Sequence, residues 1–355
     1  METTIDISIT PVKHSRLLEP GISQKEFGRL TSDHMFVCKY ENGEWQQPEI
    51  KPFSEISISP TALALHYGQS IFEGMKAFRM VDGKINIFRI DKHHERINRS
   101  LARMCMPEIP EEFFFTALTE LVSLDKAWVP SDKDCSLYIR PFVFASEAKF
   151  GMSVSNEYHF IIFTGPVKPV YSRPLKVKVE REFIRSAKGG TGYAKCCGNY
   201  GGALYPTKLA QNAGYDQVLW TDARDHEYLE ESGITNIMLV ISGSLITPSL
   251  SDSILDGITR DSMLRIARDM HIPVEERRIS VTELREAFEN KSLTEAFCVG
   301  TGAVVVPISI IGIDERNYEV PAQKEGSVMN RLKTKLDALR YGQEEDVYGW
   351  NNVVG

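Results

Sequence analysis

The residues with the clearest chemical potential lie in one run, 189–195, which reads Gly-Gly-Thr-Gly-Tyr-Ala-Lys. Glycines let a backbone pass close to a flat ligand, and a lysine held among them loses hydration, which favours its neutral, nucleophilic form. Such an amine can form a Schiff base with a carbonyl compound. The competing interpretation, which is common for an isolated segment of this kind, is a solvated turn ending in a surface lysine. Lys195 is the candidate nucleophile.

Other chemistries are excluded by residue type and spacing. A phosphate-binding P-loop needs Ser or Thr after its lysine, but Cys196 follows Lys195, and the glycines lack the spacing of a dinucleotide-binding fingerprint. His93 and His94 are adjacent, so they cannot share one helical face as the two histidines of a HExxH zinc motif do. No metal site is predicted, and no Ser-His-Asp arrangement has local support.

The run continues with Cys-Cys-Gly-Asn-Tyr, and the segment 185–200 as a whole resembles the Schiff-base segment of branched-chain amino-acid aminotransferases. These are fold-type IV enzymes that use pyridoxal phosphate. Further family motifs occur in the family's order at 65–67 (Leu-His-Tyr), 72–78 (Phe-Glu-Gly-Met-Lys-Ala-Phe), 137–141 (Leu-Tyr-Ile-Arg-Pro), 217–220 (Gln-Val-Leu-Trp), 231–233 (Glu-Ser-Gly) and 300–302 (Gly-Thr-Gly). The resemblance therefore covers nearly the whole chain.

The resemblance implies pyridoxal 5'-phosphate as the cofactor. Lys195 would anchor it and also move the proton of the substrate's Cα atom. The cofactor ring acts as an electron sink only while its nitrogen is protonated, which requires a nearby carboxylate, and Glu231 matches the family residue in that role. Glu230 is the poorer choice, because the Ser-Gly pair that follows Glu231 keeps the family's register. Tyr200 matches the tyrosine that donates a hydrogen bond to the cofactor's phenolic oxygen.

The cofactor's phosphate needs a cation and the amides of a helix N-terminus. Gly257 precedes a predicted helix start, where backbone N–H groups favour an anion. The family positions that bind the phosphate correspond to Arg96, Ile258, Thr259 and Thr301. Arg99 and Arg103 lie on roughly the same predicted helix face as Arg96, so periodicity alone does not choose among the three.

The same resemblance implies a pocket for branched aliphatic side chains. Apolar walls would gain about 0.8 kcal/mol for each buried methylene of the substrate. Arg140 is the candidate partner of the distal carboxylate of glutamate or 2-oxoglutarate, since a guanidinium can pair with a carboxylate bidentately. The substrate-binding candidates are Tyr67, Phe72, Lys76, Tyr138, Arg140, Met152, Gln217, Gly302 and Ala303, with either Val170 or Tyr171 as a further wall residue.

Two features depart from the family's pattern, at one position and at a pair of positions. Ile234 stands where many relatives have threonine, so a hydroxyl contact to the cofactor ring is not expected there. Ala303 and Val306 occupy the positions of a redox-sensing Cys-x-x-Cys found in mammalian relatives, so thiol regulation of that kind is not predicted.

Composition narrows the class of protein independently. The chain has 355 residues, which suggests about two domains, and its formal net charge of -7 without a compensating basic patch argues against nucleic-acid binding. The longest apolar stretch, 303–313, is interrupted by Pro307 and is too short to span a membrane. The N-terminal sequence lacks a signal-peptide pattern, and six cysteines show no disulfide framework, so a cytoplasmic protein with reduced thiols is expected.

Strands and helices alternate irregularly along the chain. Asn42-Gly43, Asp82-Gly83 and Ser242-Gly243 mark hairpin turns. Strands are predicted at 35–40, 84–90, 157–165 and 217–221, a hairpin at 236–247, and helices from a cap at Asp91, at 261–270, at 282–290 with Ser280 and Glu283 as a capping box, and at 328–341.

This mixture predicts an α+β fold with mixed sheets. The proline-rich segment that begins at Pro166 has neither helical nor strand periodicity and marks a linker. The predicted organisation is a small N-terminal domain at 1–165, a linker at 166–176 and a larger C-terminal domain at 177–355 that carries Lys195. Fold-type IV enzymes have two α/β domains with the cofactor between them and are homodimers, because a loop of the partner subunit completes each substrate pocket.

The activity that the resemblance implies is ping-pong transfer of the amino group of leucine, isoleucine or valine to 2-oxoglutarate, or the reverse, biosynthetic direction. One alternative shares the fold: a D-amino-acid aminotransferase or an aminodeoxychorismate lyase. Those relatives usually lack the motif at 137–141 and the long signature at 189–200. The other alternative is a non-catalytic protein that binds pyridoxal phosphate, which the presence of both Lys195 and Glu231 disfavours.

Overall fold

The helices and strands were located in a computed structural model, which describes residues 5–19, 28–132, 134–169, 171 and 173–354. The helices of this part are α1 (Leu63–Tyr67), α2 (Ile90–Arg103), α3 (Glu111–Leu124), α4 (Gly198–Asn212), α5 (Ile258–Asp269), α6 (Val281–Glu289) and α7 (Val328–Arg340), with 3-10 turns at Arg16–Leu18 and Lys126–Trp128.

The strands in chain order are β1 (Ser8–Ile9), β2 (His34–Glu41), β3 (Glu44–Trp45), β4 (Glu49–Pro52), β5 (Ser70–Phe72), β6 (Met75–Arg79), β7 (Ile85–Phe88), β8 (Ser136–Ala145), β9 (Tyr158–Val167), β10 (Leu175–Val179), β11 (Gln217–Thr221), β12 (Leu229–Ser232), β13 (Thr235–Ile241), β14 (Ser244–Thr247), β15 (Val274–Glu276), β16 (Leu293–Gly300), β17 (Val304–Ile313), β18 (Arg316–Glu319) and β19 (Asn351–Val354).

Two compact units separate among the described residues. One comprises Met1–Lys168, Lys195–Gly198 and Leu339–Gly355, and the other comprises Pro169–Ala194 and Asn199–Ala338. The C-terminal segment joins the first unit because β19 pairs with β7 in antiparallel register, whereas the sequence assigned that segment to the second domain. The boundaries at 165 and 177 stay a prediction.

The sheet of the first unit has the order β1-β4-β2-β9-β8-β6-β7-β19, with β3 on β2 and β5 on β8. Only the β1–β4 pairing is parallel among the pairs described in this sheet. Helix α3 packs its phenylalanines against β2 and β9, where the ring of Phe36 lies 5.7 Å from Phe113 and 5.3 Å from Phe160. This apolar layer supports β8, which carries two of the predicted pocket residues.

The sheet of the second unit is mixed, with the order β12-β11-β10-β17-β16-β13-β14-β15 and β18 on β17. The pairs of β10 with β11 and β17, and of β14 with β15, are parallel, and the other pairs described in this sheet are antiparallel. Helices α5 and α6 pack against β16. The predicted α+β fold with mixed sheets is confirmed.

Most predicted elements are present, and the errors lie at their ends. The hairpins at Asn42-Gly43, Asp82-Gly83 and Ser242-Gly243 form as predicted, with positive φ at both Asn42 and Gly43. Helix α2 begins at Ile90, so the predicted cap at Asp91 is wrong. Asp91 lies inside the first turn, and Arg89 occupies the cap position in a left-handed conformation.

Only one of the two hydrogen bonds of the predicted capping box before α6 is present. The Ser280 hydroxyl accepts a hydrogen bond from the Glu283 N–H at 2.9 Å, as predicted. The Glu283 carboxylate binds Arg277 instead of returning to the cap, because a guanidinium donates two charge-assisted hydrogen bonds where the cap offers one N–H.

The predicted linker is partly strand. Pro166 pairs with Leu137 at the end of β9, where a residue without an N–H still accepts a hydrogen bond through its carbonyl group, and β10 already begins at Leu175. Val170 lies outside the described residues, so of the two wall candidates only Tyr171 can be placed. No helix within the described ranges is long and apolar enough to cross a membrane.

Gly165 allows the chain before β2 to cross β9 at close range. A Cβ atom at this position would collide with the carbonyl oxygen of Leu30. We predict that Gly165→Ala lowers the free energy of unfolding by about 2–3 kcal/mol, since backbone must shift to relieve the overlap. Thermal unfolding followed by circular dichroism measures the loss. Gly202→Ala is the matched control, because Gly202 lies in α4 with open space around it; equal melting temperatures for the two variants would contradict the prediction.

Candidate active site

Lys195 lies in the first unit, whereas the sequence assigned it to the C-terminal domain. Hydrogen bonds of its backbone hold it there. Its N–H donates to the Ser100 hydroxyl at 2.9 Å, and its carbonyl accepts the N–H of Phe72 at 3.1 Å. The side chain is half-buried, and Nζ lies 4.8 Å from the centre of the Phe72 ring. Lys195 is therefore a positioned amine, which does not fit the alternative of a solvated turn with a surface lysine.

Ser100 is a site residue that the sequence reasoning missed. It is wholly buried on α2, and its hydroxyl donates to the Arg96 carbonyl at 3.0 Å while accepting the Lys195 N–H. The hydroxyl thus uses donor and acceptor capacity at once. Its spacing of four residues from Arg96 was the available signal, since residues i and i+4 share one face of a helix.

Arg96 is distinguished from the other two candidate arginines by burial. It is 4% exposed, whereas Arg99 is exposed and Arg103 is partly buried. Its Nε and Nη2 donate to the two carboxylate oxygens of Glu73 at 2.6 and 2.7 Å. The structure therefore favours Arg96 as the guanidinium inside the unit, and its partner Glu73 is a second residue that the sequence reasoning did not single out.

Two predicted pocket residues, Phe72 and Tyr138, lie against a third, Arg140, in the first unit. The guanidinium carbon lies 4.7 Å from the Phe72 ring centre and 5.2 Å from the Tyr138 ring centre, and Nη2 donates to the Tyr138 hydroxyl at 3.0 Å. Arg140 Nε is buried and has no hydrogen-bond partner among the described residues. Lys76 is 5% exposed on β6, directly opposite Tyr138. The cluster offers aromatic walls and a guanidinium.

Tyr67 and Met152 lie at the surface of the first unit. The Tyr67 hydroxyl donates to the Phe150 carbonyl, but Tyr67 is 42% exposed and Met152 is 83% exposed. Their roles as pocket walls stay predictions.

Glu231 lies in the second unit, on β12, and is 3% exposed. Its carboxylate accepts the Arg185 Nε at 2.6 Å and the Leu255 N–H at 2.9 Å. Arg185 in turn donates to the carbonyl oxygens of Ser253 and Gly192, so its own position is fixed. The sequence reasoning missed the role of Arg185, although it is the first residue of the segment on which the resemblance rests.

Ile258 and Thr259 form the first turn of α5, three residues before the helix start predicted at Asp261. Gly257 occupies the N-cap position, where a Cβ atom would collide with Asn236 Oδ1, and no side chain caps this described turn. Thr259 is 2% exposed. An uncapped turn with backbone N–H groups and a hydroxyl suits an anion.

Tyr200 and Gln217 line one cavity of about 650 Å³ in the second unit, together with Tyr171 and Ile234. Gln217 Nε2 donates to the Tyr171 hydroxyl, and burial raises the pKa of Tyr171 despite that hydrogen bond. Of the two linker candidates, Tyr171 thus contacts a predicted pocket residue.

Thr301, Gly302 and Ala303 form the turn between β16 and β17. All three are partly buried, and Ala303 packs against the apolar core of the second unit. The turn is tight, because Gly300 and Val304 are paired across it.

The adjacent histidines have other partners. His93 binds the Glu73 carboxylate through Nδ1 at 2.8 Å, and His94 binds the Ile109 carbonyl through Nε2 at 2.8 Å. Across the described part of the chain, no group of three or more His, Cys, Asp or Glu side chains could hold a metal ion.

Glu230 and Glu231 are neighbours on β12, so their side chains point to opposite faces of the strand. Glu230 lines a cavity of about 660 Å³ with Lys188 and Arg278, and it accepts a hydrogen bond from the Ser253 hydroxyl. Its second oxygen is buried without a partner in the described residues. Burial, reinforced by the Glu231 charge, raises the pKa of Glu230 to about 7.

Comparison with known proteins shows the family to which the chain belongs. A family model for amino-transferase class IV matches residues 70–311. The chain is 42% identical over 341 residues to branched-chain-amino-acid transaminase 1 of Bacillus subtilis (strain 168), covering 95% of this chain and 96% of that protein. The chain therefore belongs to the class IV aminotransferases.

Solved structures agree with this assignment. A branched-chain aminotransferase from the archaeon Thermoproteus uzoniensis, determined with norvaline, has a TM-score of 0.74 at 26% identity and covers 91% of this chain and 100% of its own. The T.th. branched-chain amino acid aminotransferase, complexed with N-(5'-phosphopyridoxyl)-L-glutamate, has a TM-score of 0.71 at 27% identity, covering 89% of this chain and 97% of its own.

Glu230→Gln should stabilise the protein in a pH-dependent way. The folded-state pKa near 7 exceeds the ordinary glutamate value of about 4.3, so wild-type stability falls as the pH rises through this interval, by up to about 3 kcal/mol. Glutamine stays neutral and avoids that loss. We expect the free energy of unfolding of the variant, relative to wild type, to be about 2 kcal/mol higher at pH 8 than at pH 5 in urea denaturation. An equal difference at both pH values would contradict this.

Proposed function

We propose that this chain is a branched-chain L-amino-acid transaminase. It transfers the amino group of leucine, isoleucine or valine to 2-oxoglutarate by a ping-pong reaction, and runs the reverse, biosynthetic direction as well. The observation that carries the proposal is the amine of Lys195, which lies beside Phe72 in a chain of the class IV aminotransferase family. The names of relatives such as the Bacillus subtilis transaminase support the substrate class.

The residues of both units fit pyridoxal phosphate as cofactor. When bound, it supplies an electrophilic carbon that captures amines and a ring that accepts electrons. Lys195 would hold the cofactor through Nζ and, once displaced by the substrate amine, carry the proton released from the substrate's Cα atom. Phe72 packs beside this amine and limits its hydration.

Glu231 would hold a proton at the cofactor's ring nitrogen. A carboxylate has two oxygens with about four acceptor sites, so Glu231 can also accept a hydrogen bond from the ring N–H. Arg185 and the Leu255 N–H fix its orientation. Tyr200 would donate to the phenolic oxygen. Arg185 therefore acts as a positioning residue for Glu231.

The phosphate would be bound by a cation, helix amides and hydroxyls. Buried Arg96 supplies the cation, the uncapped first turn of α5 supplies the N–H groups of Ile258 and Thr259, and the hydroxyls of Thr259 and Thr301 complete the set. These donors match the three acceptor oxygens of a phosphate group.

The substrate pocket would combine aromatic walls with one cation. Phe72 and Tyr138 would cover a branched side chain, and the unpartnered, buried Nε of Arg140 would help bind the distal carboxylate of glutamate. The further contributors we propose are Tyr67, Lys76, Met152, Gln217, Gly302 and Ala303.

We propose a homodimer as the working form. Phe150, Met152 and Val154 are 80%, 83% and 54% exposed, and exposed apolar side chains on one loop are typical of a surface that another molecule covers. In this proposal the loop reaches the pocket of the partner subunit. The first compact unit also contains 195–198 and 339–355, so the units match the predicted domains at 1–165 and 177–355 only in part. We also propose a cytoplasmic location, which the six free cysteines support.

The visible absorbance spectrum of the purified protein tests the activity directly. We expect a cofactor band that bleaches with L-leucine and returns with 2-oxoglutarate. Lys195→Ala should lack this band and turnover, whereas Lys188→Ala, which alters an exposed lysine of the same segment, should retain both. A band that responds only to a D-amino acid would overturn the substrate class, and an unaffected Lys195→Ala variant would overturn the role of this amine.

Arg140→Met should affect the half-reaction with glutamate more than the half-reaction with leucine. Methionine keeps an apolar chain against Phe72 and Tyr138 but removes the guanidinium. We predict that kcat/KM for glutamate falls at least about tenfold, because a charge-assisted hydrogen bond is lost, while kcat/KM for leucine changes little. Stopped-flow half-reactions with each amino acid measure the two values. An equal loss for both substrates would show that Arg140 supports the pocket without selecting the carboxylate.

A further inference from the structure

Glu73 is the most completely enclosed acid of the first unit, with 0% exposure in the segment between β5 and β6. One carboxylate oxygen accepts Arg96 Nε at 2.6 Å. The other accepts Arg96 Nη2 at 2.7 Å, His93 Nδ1 at 2.8 Å and the Gly74 N–H at 3.1 Å. Four donors on two oxygens leave this carboxylate with a saturated set of partners.

The carboxylate is a fixed negative charge. Burial alone would raise the pKa of Glu73, but the charge and hydrogen bonds of Arg96, together with the hydrogen bond from His93, hold this pKa far below its usual range. Burial lowers the pKa of His93 against the influence of Glu73, so the imidazole is a neutral donor. Glu73 therefore moves no proton at working pH, and its contribution must come from geometry.

The pairing fixes the plane of the Arg96 guanidinium. A guanidinium carries five N–H groups in a rigid fork, and Glu73 takes the edge formed by Nε and Nη2. The end formed by Nη1 and the second Nη2 hydrogen points away from the carboxylate. An arginine side chain otherwise has many rotamers, so a bidentate partner removes most of its orientational freedom before any ligand binds.

The same contacts tie the guanidinium to the lysine segment. His93, Arg96 and Ser100 lie on one face of α2, and Ser100 accepts the Lys195 N–H. On the other side of Glu73, the N–H of Phe72 donates to the Lys195 carbonyl. Glu73 thus joins the helix that carries the guanidinium to the strand beside the amine.

We propose that Glu73 is a positioning residue that orients the Arg96 guanidinium so that its Nη1 end faces the phosphate of the cofactor, and that the hydrogen bond from His93 holds the Glu73 carboxylate in place. The proposal rests on the proposed function, in which Arg96 binds that phosphate. Glu73 carries a negative charge next to a cation meant for a dianion, which weakens the attraction between the two. Orientation is therefore what it contributes.

The test compares two ligands that differ only in the phosphate. Pyridoxal phosphate and pyridoxal are titrated into the cofactor-free protein. The dissociation constant of pyridoxal divided by that of pyridoxal phosphate measures how much the phosphate contributes to binding. We expect Glu73→Gln to lower this ratio at least about tenfold, and Arg96→Ala to lower it further. Because Glu73 acts through Arg96, the double variant should match Arg96→Ala alone.

Two variants keep the result interpretable. Glu295→Gln is the matched control: Glu295 is also buried, at 7% exposure, but it binds only the N–H groups of Val328 and Met329 among its described contacts, so its ratio should equal that of wild type. Glu73→Asp keeps the charge on a shorter side chain and should give a ratio between those of wild type and Arg96→Ala. This variant provides the test if Glu73→Gln does not fold.

Four outcomes would overturn the proposal. Equal weakening of both ligands would make Glu73 a purely structural partner, and a raised ratio would show that its charge, rather than its orientation of Arg96, dominates. If the ratio is unchanged in the Glu73 variants but lowered in Arg96→Ala, the role of Glu73 is rejected and the role of Arg96 in phosphate binding stands. If the ratio is unchanged in Arg96→Ala, the role of Arg96 in phosphate binding is rejected.

Discussion

The backbone of Lys195 is held at two points, and the position of its amine in the first unit depends on that restraint. The Ser100 hydroxyl fixes the lysine N–H to α2, and the Phe72 N–H fixes its carbonyl to β5. A lysine has a long, flexible side chain, so a fixed backbone is what limits where its amine can go. Since α2 also carries Arg96 and β5 leads into Glu73, the amine and the guanidinium share one scaffold. A shift of that helix would displace both together.

Each unit contains a buried carboxylate paired with a buried arginine among or beside the candidate site residues. Glu73 pairs with Arg96, and Glu231 pairs with Arg185, all of them nearly without exposure. Burying such pairs contributes little net stability, because desolvation cancels much of the attraction. In the functions proposed above, both pairs contribute orientation. Glu73 would orient the cation Arg96, and Arg185 would orient the anion Glu231.

Much of the fold could be predicted because its signals are local. Turn residues such as Asn42-Gly43 set a hairpin by their own backbone preferences, and Ser280 caps α6 through a hydrogen bond three residues away. The errors have local causes as well. Asp91 has the right side chain for a cap, but α2 already begins at Ile90, so Arg89 occupies the cap position and Asp91 lies in the first turn. Pro166 disrupts strand periodicity in the sequence, yet it remains in β9 through its carbonyl group.

The sequence by itself determined the family and the candidate residues for its chemistry, since Lys195, Glu231 and the motifs around them could be matched by type and order. It did not determine their partners. Ser100 and Arg185 are ordinary residues until folding brings a lysine N–H to one and a buried carboxylate to the other. Glu73 lies in the motif at 72–78, but its hydrogen bond from Arg96 joins residues that are 23 positions apart in the sequence. Only the tertiary structure decides such pairings, because burial removes water and makes each polar group depend on whichever partner the packing supplies.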